Sequence, residues 1–140
     1  MVCVTSVSFN FNLNGQEDRE IPFLLLFVLS MEYLSRLFDN ASNQHHFKYH
    51  LHCKAQRLTH VLFVDDLIIF CKAYQASLKH LMHAFCLFSH CSSLAANLAK
   101  SQIVFEGCNS QLQQLSIKVT GIKVGSLAFR YLGCLLLVAS

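Results

Sequence analysis

The residues with the most obvious chemical potential lie in "THVLFVDDLIIFC", residues 59–71, where Asp65 and Asp66 stand side by side within a run of Val, Leu, Ile and Phe. An ionised carboxylate is costly to bury without a partner, and two adjacent ones repel each other. Two arrangements relieve that conflict. The pair can sit at a solvated turn, which aspartate favours. Alternatively, it can sit at a hairpin tip and hold divalent cations. Nucleotidyl transfer uses two cations about 3.5–4 Å apart to clamp the attacking and leaving oxygens, and Mg²⁺ prefers hard oxygen ligands while keeping some of its waters. Spacing alone does not separate the two readings.

Positioning the pair requires rigid elements on either side. The apolar runs 58–64 and 67–71 read as the two strands of a hairpin with Asp65-Asp66 at its tip. Upstream, Pro22 can open a helix in its first turn. Residues 22–38 then read as a largely buried helix, with Glu32, Ser35 and Arg36 on its wetter side. Downstream, Leu78, Leu81, Met82, Phe85 and Phe88 recur at helical spacing, which predicts a helix over 75–90. The hairpin is therefore expected between helices covering roughly 24–38 and 76–90. Residues 7–13, "VSFNFNL", alternate as a half-buried strand and lead into Asn14-Gly15, a hairpin-turn signal, but the charged "QEDREI" that follows has no strand pattern. Residues 39–56 are polar and histidine-rich and read as a loop. "SQIVFEG" (101–107) reads as a short strand, 110–119 as a weaker helix, and 126–138 as one or two strands with Gly133 at a bend.

Composition sets outer bounds. At 140 residues, with 54% hydrophobic and only 14% charged residues, the chain is one domain or a piece of one. Its longest apolar run, "IPFLLLFVL", is shorter than the roughly 20 residues a spanning helix needs, and the N-terminus lacks a basic-then-apolar signal. An intracellular, non-membrane location is expected, and the seven cysteines are expected as free thiols. Cys71, Cys86, Cys91 and Cys134 lie in apolar settings and read as small core residues. A net charge of +3 and eight histidines are compatible with nucleic acid. In "HHFKYHLHC" (45–53), His46, His50 and Cys53 are zinc-ligand types, but no second cluster stands at a recognised spacing, so a solvated loop is the simpler reading. Lys48, Lys54 and Arg57 make that loop locally basic, which suits a phosphate backbone.

"LTHVLFVDDLIIFC" resembles the active-site hairpin of reverse transcriptases from LINE-type (non-LTR) retrotransposons, the kind abundant in plant genomes, with Val64 where the family usually has Ala. "FVLSMEYLSRLF" (27–38) resembles the family's preceding helix. "SLKHLMHAFCLFSHCSSLAANLAKSQIVF" (77–105) resembles its following helix and its Gly-Leu-x-x-Asn-x-x-Lys-Ser segment, in which Asn97, Lys100 and Ser101 match and Ser93 replaces Gly. "FRYLGCLL" (129–136) resembles the Phe-x-Tyr-Leu-Gly strand near the primer, and "VSFNFNLNG" the strand and turn before a template-contacting loop. The resemblance implies an RNA-directed DNA polymerase palm with an α+β fold, an antiparallel sheet carrying helices on one face. It implies Asp65 and Asp66 as catalytic metal ligands for Mg²⁺. It also implies Asn97, Lys100, Tyr131 and Gly133 on the nucleotide and primer side, with an RNA template and a DNA primer as partners.

The departures shape the expectation as much as the matches do. The family's Arg-Gln-Gly-Asp-Pro-Leu-Ser-Pro loop is replaced by the shorter "QEDREIPFLLL", so Pro22 does not correspond to the family proline. The family's first catalytic aspartate, on a separate strand, has no counterpart in this sequence, nor have its thumb and endonuclease. None of Glu17, Asp18, Glu20, Glu32, Asp39 or Glu106 is a convincing substitute. Residues 1–140 are thus expected as a partial palm that is catalytically incomplete alone. The competing expectation is a non-catalytic translated remnant with at most weak nucleic-acid or metal binding.

Overall fold

The computed structural model describes residues 20–63, 66–92, 94–126, 128–131 and 134–137. Helix α1 (Glu20–Ser42) leads through a loop to strands β1 (His60–Phe63) and β2 (Asp66–Ile69), then to helix α2 (Gln75–Ser92). Strand β3 (Gln102–Ile103), helix α3 (Ser110–Thr120) and strand β4 (Lys123–Val124) follow, and strands β5 (Ala128–Tyr131) and β6 (Cys134–Leu137) end the described chain. The class is α+β. The expected alternating strand 7–13 and its Asn14-Gly15 turn lie outside the described residues.

One core joins α1, α2 and the β1–β2 hairpin. Phe27, Met31, Leu34, Phe38 and Ala41 recur every three or four residues along α1 and are buried. Leu78, Leu81, Phe85 and Phe88 do the same on α2, and the two helices pack stripe to stripe. Leu67 and Ile69 of β2 complete the cluster. Phe38 is fully buried at its centre. Its ring meets Phe85 edge-on at 5.1 Å and His60 of β1 at 5.3 Å.

The second half of the fold is a crossover. Asn109 caps α3 by accepting from the Leu112 N–H at 2.9 Å. Gly121 ends the helix at φ 69°, a left-handed conformation that a side chain disfavours, with its N–H donating to the Ile117 carbonyl. The helix carries the chain back so that β4 runs parallel to β3.

Several expectations need correction. The strands form three two-stranded units rather than one antiparallel sheet: β1–β2 and β5–β6 are antiparallel and β3–β4 is parallel. Strands of two to four residues leave little ladder for wider pairing, and a crossover through α3 delivers a parallel partner. The segment 39–56 is not all loop. Helix α1 continues to Ser42, because Ala41 still reaches the core and the Ser42 hydroxyl donates to the Asp39 carbonyl at 2.8 Å. A 3₁₀ turn also forms at Leu51–Cys53. The strand read over 101–107 is confined to Gln102–Ile103, and Gly107 turns the chain at φ 60°. Helix α1 is not largely buried in its first half. Leu24, Leu25, Leu26, Val28 and Leu29 are all more than half exposed, because α2 and the hairpin cover only one side of it. Cys71 is a core residue as expected, but Cys86 and Cys91 are exposed on α2 and Cys134 carries no described side chain.

Truncating Phe38 should remove the common contact of α1, α2 and β1. Phe38→Ala is expected to cost about 3–5 kcal/mol in urea unfolding, whereas Leu24→Ala, at an exposed site, should stay within about 0.5 kcal/mol of the native chain.

Candidate functional site

The hairpin expected around the aspartates is present. Its register pairs His60 with Ile69, Val61 with Ile68, Leu62 with Leu67 and Phe63 with Asp66. Asp66 is thus the first residue of β2, and it is half-buried. Asp65 lies outside the described residues.

Strand alternation divides the hairpin into two faces. His60, Leu62, Leu67 and Ile69 share the face toward the helices, where Leu67 and Ile69 enter the core. Val61, Phe63, Asp66 and Ile68 share the opposite face. Phe63 there is 54% exposed and Val61 37% while Ile68 is buried, so this face is open on the β1 side next to Asp66 and covered over β2.

His60 ties the hairpin to α1. Its Nε2 shares a hydrogen bond with the Ser35 hydroxyl at 2.7 Å, and its Nδ1 another with the Thr59 hydroxyl at 2.8 Å. Ser35, read as part of the wet side of its helix, is in fact turned to this contact. Burial pushes the His60 imidazole below its ordinary value of 6.5, while the Asp39 carboxylate works in the opposite direction. The neutral ring therefore suits the folded state. Sequence reasoning gave His60 no role; its signal was a polar residue opening an apolar strand.

The loop histidines do not behave as one solvated group. His50 is buried, with Nε2 3.7 Å from a Glu106 carboxylate oxygen and Nδ1 3.7 Å from the Cys53 sulfur. Burial lowers the His50 pKa, and Glu106 opposes that shift. Burial also pushes the Cys53 thiol up, away from the thiolate a zinc site requires. His46 meets the His45 ring edge-on at 4.8 Å instead. Among the described residues, no three His, Cys, Asp or Glu side chains converge as a metal-holding group. Nor does any described helix have the length and apolarity to cross a membrane.

The nucleotide-side candidates have mainly local partners. The Asn97 side chain accepts from the Ala99 and Lys100 N–H groups at 3.1 and 3.3 Å, and its carbonyl accepts from the Ser101 hydroxyl at 2.8 Å. This is a turn that sets the start of β3. Lys100 is exposed within it. Tyr131 ends β5 opposite Cys134, and Gly133 lies outside the described residues. The structure thus brings Asn97 and Lys100 together but supplies no contact linking them to Asp66.

No protein-family model and no curated protein sequence matches this chain.

The two depressed histidines give the fold an acid sensitivity. Below pH 6.5 the unfolded chain binds more protons at His50 and His60 than the folded one, so stability is intact above 6.5 and declines as pH falls below it. The urea midpoint is expected to drop between pH 7.5 and 5.5. His60→Gln should flatten that slope, a comparison that equilibrium unfolding at several pH values makes directly.

Proposed function

We propose that this chain is part of the palm of a reverse transcriptase of the non-LTR retrotransposon kind, carrying the Asp65–Asp66 hairpin and incomplete as a catalyst alone. The observation that carries the reading is the hairpin itself. The hairpin buries Leu67 and Ile69 in the core shared with α1 and α2, and Asp66 lies on its opposite face, where Phe63 and Val61 remain accessible. A polymerase palm needs that division of labour: one face anchored in a core, the other open to substrate. The ordered matches around residues 27–38, 77–105 and 129–136 support the same reading.

The donor chemistry suits Mg²⁺, since Asp65 and Asp66 offer hard carboxylate oxygens. Bound there, the ion would stabilise charge on a transferring phosphoryl group. The remaining requirement is a third carboxylate from another strand. Among the described acids, Glu32 pairs with Arg36 at 3.1 Å on α1 and Glu106 meets His50. With water left to fill most of the coordination sphere, affinity for Mg²⁺ should be weak. Calorimetry should give a weak isotherm that Asp65→Asn diminishes.

Polymerisation demands more than binding. Misplacing reacting groups by about 1 Å already costs about 10²-fold in rate, so a missing ligand strand should abolish turnover. Purified chain is expected to add no labelled nucleotide to a primer on homopolymer RNA with Mg²⁺ or Mn²⁺. Incorporation that disappears in Asp65→Ala would show that another acid completes the site. Identical titrations of the native chain and Asp65→Asn would remove the metal site from the account.

A further inference from the structure

The histidine-rich loop does more than connect α1 to the hairpin. It lies alongside the segment that follows β2, where the Lys72 N–H donates to the Lys48 carbonyl at 3.0 Å. The Lys48 N–H in turn donates to the Ser77 hydroxyl, a fully buried group on the apolar stripe of α2, at 2.9 Å. These bonds bring together three lysines that are distant in sequence. Lys48, Lys54 and Lys72 line one cleft of about 610 Å³, and among the described residues no carboxylate lines it. Tyr49 lines it too, and the Lys48 ammonium stands 4.2 Å over the Tyr74 ring. All three lysines are exposed.

The cleft is held in shape before any ligand arrives. Buried His50 meets Glu106 at 3.7 Å, the 3₁₀ turn closes with the Cys53 N–H donating to the His50 carbonyl at 3.1 Å, and the turn after it closes with the Leu58 N–H donating to the Cys53 carbonyl at 3.0 Å. Preorganised cations lose little freedom on binding a polyanion. Clustered ammonium groups beside accessible aromatic rings match a nucleic-acid strand, whose phosphates take the charges and whose bases stack.

We propose that the cleft of Lys48, Lys54 and Lys72 grips the phosphate backbone of a nucleic-acid strand. Resting on the palm reading, it places this grip away from the acidic tip. Measured along β2 and its extension, Lys72 is about 20 Å from Asp66 at about 3.3 Å per residue. That span corresponds to about six nucleotides at about 3.4 Å each. The site would hold bound strand while the tip faces the reacting end.

The test is fluorescence anisotropy with a labelled single-stranded RNA, using the full chain across a salt series. Neutralising three phosphates should give a log–log salt slope of about −2 for a single strand. The triple variant Lys48→Ala, Lys54→Ala, Lys72→Ala should bind at least about 10-fold more weakly at ~0.1 M salt and lose most of that slope. The backbone bonds at 48 and 72 survive these changes, and a matched thermal melt checks the fold. The control Lys79→Ala, Lys118→Ala, Lys123→Ala removes the same charge from exposed sites elsewhere and should bind like the native chain. Equal losses in both triple variants, or no loss in the first, would overturn the proposal. So would equal or tighter binding to phosphatidylserine vesicles or to polyglutamate. Because this readout needs no metal, it can fail while the Asp65 titration succeeds, and the reverse.

Discussion

Phe38 is the point on which the site depends. Its ring is shared by α1, α2 and β1, through the chain's own turn of helix, the edge-on contact with Phe85 and the tilted contact with His60. A hairpin of four-residue strands has little stability by itself in water. This one is held because β2 buries Leu67 and Ile69 under two helices and because His60 adds the polar link to Ser35. Asp66, at the start of β2, inherits its position from that packing. The outer face of the hairpin can stay accessible only while the inner face stays closed around Phe38.

The hairpin, the two long helices and the core stripes could be read from the sequence because periodicity reports burial directly. Apolar runs flanking an aspartate pair, and residues such as Leu78, Leu81, Phe85 and Phe88 at helical spacing, leave few alternatives. What could not be read arises from contacts between distant residues. Lys72 joins Lys48 only because the chain after β2 pairs with the loop, and His50 meets Glu106 across more than fifty residues of sequence. The parallel β3–β4 pair was invisible for the same reason: two-residue strands carry no pattern. The exposed leucines of α1 misled in the other direction. Their composition suggested burial all round, whereas the described elements cover a single side.

In the proposed reading, two regions have different tasks. Asp65 and Asp66 would draw divalent cations. The cleft at the opposite end of the hairpin concentrates positive charge beside aromatic rings. A strand of nucleic acid spanning the two would place its phosphates on the lysines, while its end would need divalent cations between it and the like-charged aspartates. His50 and His60 each support one region, and burial lowers the pKa of both, so acid conditions should loosen both supports through the same folding equilibrium.

The proposed divalent-cation site at Asp65 and Asp66 would rest on the Phe38 core. Paramagnetic line broadening by Mn²⁺ in amide NMR spectra tests it most directly, since broadening falls steeply with distance from the ion. The account predicts that trace Mn²⁺ first erases the amide signals of residues 62–67, and that Asp65→Asn with Asp66→Asn restores them. Broadening centred instead on Glu32, Asp39 or the histidine loop, or unchanged in the double variant, would contradict it.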